Sequence, residues 1–127
     1  MRLTPWEEER LLIFSAAELA HRHRAAGLLL NHPEAVALIC DAMLEAARAG
    51  GDYERVEAAG RSAVRETDLI DGVRDLLDEV RLEVLLGDGS RLLVLVDPLG
   101  HSDPLDVSTA ARVGDAGADG ADPAGRQ

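Results

Sequence analysis

Gly27-Leu28-Leu29-Leu30-Asn31-His32-Pro33-Glu34-Ala35-Val36-Ala37-Leu38-Ile39 packs a helix stop, an apolar link and a helix start into thirteen residues. Gly27 follows a long helical pattern and tolerates the left-handed backbone that closes a helix. Asn31 caps the next helix through its side-chain oxygen, with Glu34 as its capping-box partner three residues on. Pro33 suits a first helical turn, where an N–H would have no intrahelical acceptor. The link Leu28-Leu29-Leu30 is too apolar for an ordinary surface loop and asks for cover, from this chain or from another.

Working outward, the upstream helix is expected over residues 5 to about 25. Thr4 caps it, Pro5 takes its first position and Glu7 completes a capping box. Glu7, Glu8 and Glu9 sit at its positive end and His21, Arg22, His23 and Arg24 at its negative end, as the helix dipole favours. Leu12, Ala16, Leu19 and His23 form one stripe, widened by Leu11 and Phe14, and we expect that stripe to face the core. Downstream, the second helix is expected over 32–48, burying Val36, Ile39, Cys40, Met43 and Ala47, with Gly50-Gly51 as its stop. The many alanines predict a close antiparallel pair. A third helix is expected over about 52–63, capped by Asp52, with Tyr53, Val56 and Ala59 inward and Gly60 marking an end or bend. A short fourth helix, capped by Thr67 or Asp68, would contain Leu69, Ile70, Val73 and Leu76.

The period changes after Asp78. Val80, Leu82 and Val84 alternate with Arg81 and Glu83, the pattern of a half-buried strand. Gly87-Asp88-Gly89 is a hairpin turn. The return strand, Arg91 through Val96, contains Leu92-Leu93-Val94-Leu95-Val96, which is apolar on both faces. A lone hairpin is marginal in water, so one face would use the helices and the other a second chain. From Gly100 to Gln127 the chain is rich in Ala, Gly and Asp, with five Asp against two Arg. We expect a disordered tail there, because so few large apolar residues cannot offset the entropy of ordering. The fold class is therefore α+β: a helical body of about four helices, then an antiparallel β-hairpin.

A length of 127 residues bounds the chain to one domain, here 1–99, with the tail 100–127. Apolar residues are 46% but aromatic residues only 2%, so the core must be aliphatic. Thirteen basic residues against 24 acidic give a net charge of −11, which argues against nucleic acid and anionic membranes as partners. A single cysteine, Cys40, cannot staple the chain, and the N-terminus does not read as a signal peptide. The expectation is a cytoplasmic protein with no membrane span.

The search for chemistry gives little. His21 and His23 stand two apart, on different faces of a helix, and the i,i+4 ligand spacing is absent. Glu18 adds nothing to that pair, so a cationic helix end is the better reading. Cys40 lies mid-helix, where a small buried hydrophobe is the simpler reading. The acidic runs Glu7-Glu8-Glu9 and Glu66 to Glu79 lack calcium-loop spacing, and His32 is explained by the capping loop. No phosphate loop or catalytic triad is legible.

The opening stretch, from Asn31 to Ile39 above all, resembles the gamma subunit of bacterial urease. Leu3-Thr4-Pro5 with Leu11-Leu12-Ile13-Phe14, Gly60-Arg61, Asp68 through Val73, Asp88-Gly89 and Asp97-Pro98 match in the same order, over about residues 1–99. The resemblance implies a non-catalytic structural subunit of a nickel-dependent complex hydrolysing urea to ammonia and carbamate. In such complexes gamma joins beta and a large alpha subunit in a trimer of heterotrimers. The nickel and every catalytic group are in alpha, so no catalytic, cofactor or metal residue is expected here. Leu28, Leu29, Leu30, Leu92, Val94 and Val96 are the expected partner interface. The chain departs from the family's usual residues at Leu29, Ala46, Arg74 and Asp78. The alternative reading is therefore a diverged urease-gamma paralogue, acting as a binding or regulatory protein without urease activity.

Overall fold

Thr4 opens the first helix of the computed structural model, which describes residues 1–100. Its hydroxyl accepts from the Glu7 N–H, and the Glu7 carboxylate accepts from the Thr4 N–H. Helix α1 (Pro5–Ala25) runs from this box to a closing turn in which Gly27 takes φ +83°. There the Leu28 N–H donates to the His23 carbonyl and the Gly27 N–H to that of Arg24, satisfying two orphan carbonyls. Helix α2 (His32–Arg48) begins with the same box built from Asn31 and Glu34. Both expected boundaries hold.

Helix α2 is the axis of the body. It buries Ala35, Ala37, Leu38, Ile39, Cys40, Met43 and Leu44, more than any other helix. Helix α1 lies antiparallel on one side of it. Arg10, early in α1, pairs with Asp41 at 3.0 Å and with Glu45 at 2.6 Å, late in α2. His23, late in α1, pairs with Glu34, early in α2. Helix α3 (Tyr53–Arg61), capped by Asp52, and the hairpin pack elsewhere on α2. Gly60 is buried in α3, where an added Cβ would lie 2.6 Å from Leu95 Cδ1 and 2.8 Å from Met43 Sδ. A glycine is needed there for close approach. The helix ends two residues earlier than expected.

The stripe expected to bury α1 is not the one it buries. Leu12, Ala16 and Leu19 are exposed, as are Leu11 and Phe14, while Ala17 and Ala20 are buried and Ile13 half-buried. Small side chains let α1 approach α2 closely, and the large ones point to solvent.

The expected fourth helix is broken. A 3-10 turn covers Glu66–Asp68, and a single-turn helix α4 covers Val73–Leu76, starting after Gly72 at φ +92°. Between them Leu69 pairs with Leu30 in an isolated parallel bridge: the Leu30 N–H donates to the Asp68 carbonyl at 2.8 Å, and the Ile70 N–H to the Leu30 carbonyl at 2.9 Å. Those backbone groups are committed to a distant partner and leave no helical ladder.

Strands β1 (Glu79–Leu86) and β2 (Gly89–Val96) form an antiparallel pair joined at Gly87-Asp88. Val80, Leu82 and Val84 face inward with Leu93 and Leu95, completing a core whose largest fully buried members include Leu30, Ile39, Met43, Leu93 and Leu95. The fold is α+β. The expectation of a disordered tail falls outside the described residues, apart from Gly100.

Candidate functional site

The apolar link divides. Leu28 and Leu29 are exposed, at 56% and 52%, but Leu30 is wholly buried in this chain's own core. Leu30 is thus removed from the expected partner interface, and its cover comes from within. What fixes it is the bridge to Leu69 and the acid beneath. Asp68, 9% exposed, accepts from the Arg65 N–H at 2.9 Å and faces the guanidinium groups of Arg24 and Arg65. Burial alone would raise its pKa, but the Arg65 N–H and the two arginines outweigh it and hold the carboxyl below its ordinary value. Arg24 also donates to the Ala63 carbonyl. Leu28 and Leu29 are therefore displayed from a backbone anchored at both ends.

The hairpin displays a second apolar surface. Register places Leu92 opposite Glu83, Val94 opposite Arg81 and Val96 opposite Glu79, all on the face turned away from Val80, Leu82 and Val84. Leu92 and Val96 are about three-fifths exposed and Val94 is half-buried. Leu85 extends this face and was not singled out from sequence, although its place in the β1 alternation is the signal that finds it. The outer face of α1 makes a third surface, also unforeseen. Leu3, Glu8, Leu11, Leu12 and Ser15 line one shallow depression there.

The polar residues weighed for chemistry are spread out. His23 contacts the Glu34 carboxylate, and His21 lies 3.4 Å from Arg24. The Asn31 N–H, partly opposed by burial and assisted by His23, holds the Glu34 carboxyl below its ordinary value. Burial, with Glu9 and Asp41 nearby, pushes the Cys40 thiol up to about 11, far from the thiolate a nucleophile needs. Among the described residues no three His, Cys, Asp or Glu are grouped to hold a metal ion, and no helix is long and apolar enough to cross a membrane.

These exposed apolar surfaces are carried on a small α+β body. The chain belongs to the urease gamma-subunit family: the model of the family described as "Urease, gamma subunit" matches residues 1–99. It is 52% identical over 100 residues to a Streptomyces avermitilis protein named urease subunit gamma/beta, across 79% of this chain and 44% of that one. A Streptomyces coelicolor protein of the same name is 51% identical over the same shares. The chain thus spans less than half the length of these curated relatives.

Proposed function

We propose that this chain is the non-catalytic gamma-type subunit of a cytoplasmic, nickel-dependent urease complex. That complex hydrolyses urea to ammonia and carbamate, with beta and alpha subunits as partners in a trimer of heterotrimers. The observation that carries the reading is the display of Leu28, Leu29, Leu92 and Val96 by a member of this family. Large aliphatic groups held open to water on a rigid backbone gain roughly 25 cal/mol per Å² when covered. Val94 completes the hairpin part of the interface.

The family's nickel does not fit this chain, whose described residues offer no grouped donor set. The resemblance to the family puts the metal in the large subunit. The gamma/beta relatives carry more than half their length beyond the matched region.

The test is affinity capture of the tagged chain from its native cytoplasm, with mass spectrometry and nickel analysis. Recovery of alpha- and beta-type urease subunits with nickel is expected. Recovery of the chain alone, or with unrelated proteins, would replace this reading by the diverged paralogue without urease activity.

A further inference from the structure

The outward stripe of α1 has an internal order that packing within the chain does not use. Glu8, Leu12, Ser15, Leu19 and Arg22 recur at spacings of four, three, four and three residues, the repeat of a coiled-coil seam. All five are exposed, and they lie nearly opposite the inward side marked by Ile13, Ala17 and Ala20. Among the described residues neither the Glu8 carboxylate nor the Arg22 guanidinium has an ion-pair partner, although nine pairs form elsewhere.

The stripe is also reversed in charge about its middle. Ser15 lies seven residues from Glu8 and seven from Arg22, with a leucine between on each side. A two-fold axis at Ser15 would bring Glu8 against Arg22 of a second copy, twice, and pack Leu12 against Leu19 across the seam. The small Ser15 side chain would let the helices approach at the axis. Glu9 and His21 follow the same reversal. A two-fold interface must be complementary to itself, and this stripe is; a partner of unrelated sequence would not need the reversal.

We propose that α1 is a self-association surface, on which a second copy of this chain docks antiparallel through Leu12, Leu19 and the Glu8–Arg22 pairs. The proposal is independent of the subunit reading, which uses the link and the hairpin.

Sedimentation analysis of the full chain tests it. The wild type is expected to form a dimer at about 100 μM that weakens with added salt, which screens exposed ion pairs. Glu8→Arg and Arg22→Glu each place like charges opposite and are expected to raise the dissociation constant at least about tenfold. Mixed together, the two variants restore both opposite-charge contacts and are expected to form a heterodimer, with helix content by circular dichroism as the check on folding. A monomeric wild type would overturn the proposal, as would dimers of either single variant as tight as wild type, or no association on mixing. Loss of alpha- and beta-type subunits in affinity capture of Glu8→Arg, with a monomeric wild type, would give this face to those partners instead. Failure here leaves capture by the wild type untouched, so the two readings fail separately.

Discussion

Single residues decide how firmly the displayed surfaces are held. Asn31 accepts from the Glu34 N–H at 2.9 Å and receives the Glu34 carboxylate on its own N–H. Asn31→Ala is expected to cost about 1 kcal/mol, the usual worth of an N-cap, read as a lower denaturation midpoint at unchanged slope. Gly60 sets two effects against each other. Alanine would favour the helix by up to about 1 kcal/mol, less so near its last turn, but its Cβ would press on Met43 and Leu95, both fully buried. Overpacking of that kind costs about 1–3 kcal/mol, so Gly60→Ala is expected to lower the thermal midpoint; a rise would show the core yields there. Glu34 and Asp68 both have carboxyl pKa values below their ordinary ones. Groups with depressed folded values stabilise the protein above their unfolded values and lose that contribution as pH falls through the folded ones. Melting temperature is therefore expected to fall below about pH 4.5, the ordinary carboxylate value, and Glu34→Gln to flatten the fall.

The hairpin shows at the element scale how a surface separates from a core. Val94→Asp introduces a carboxylate opposite Arg81 on the outer face, while Leu93 and Leu95 keep the inner face. Residue effects within strands span only about 1 kcal/mol, so the isolated chain is expected to stay folded, while capture of partner subunits falls below wild type. Equal capture would remove Val94 from the interface. The difference between the two faces was legible only in β1, where Arg81 and Glu83 interrupt the apolar set. In β2 every residue from Leu92 to Val96 is apolar, and only register with β1 sorts them. The limits of α1 and α2 and the place of the hairpin turn were legible because caps, stops and turns are local signals, although β2 begins at Gly89 rather than at Arg91. The buried stripe of α1 was not: size favoured Leu12 and Leu19, but close approach to α2 selected Ala17 and Ala20. Leu30 escaped for a related reason, since its bridge to Leu69 spans a distance in sequence that no local pattern reports. Of the six interface residues expected, Leu28, Leu29, Leu92 and Val96 are exposed.

At the scale of the whole molecule, stability is unevenly spread. Helix α2 is enclosed by α1, α3 and the hairpin, and it buries four residues larger than alanine or cysteine: Leu38, Ile39, Met43 and Leu44. Helix α1 fully buries only Ala17 and Ala20, half-buries Ile13, and is further held by Arg10, His23 and Arg24 in part-buried polar contacts. Segments with few buried apolar contacts open at lower free energy than the global transition. Amide hydrogen exchange is therefore expected to be fastest, among the three long helices, in α1, whose exposed Leu12 and Leu19 are covered by the proposed self-association. The order of exchange then depends on concentration. At dilutions where the chain is monomeric, α1 is expected to exchange well before α2 and the hairpin. Near about 100 μM pairing adds protection to α1 alone, because ligation stabilises only the state it binds. Glu8→Arg is expected to show fast α1 exchange at both concentrations. Protection of α1 equal to that of α2 in the dilute wild type would mean that its short side chains and polar contacts hold it as firmly as a leucine core. The exposed stripe would then owe nothing to a second copy for its order.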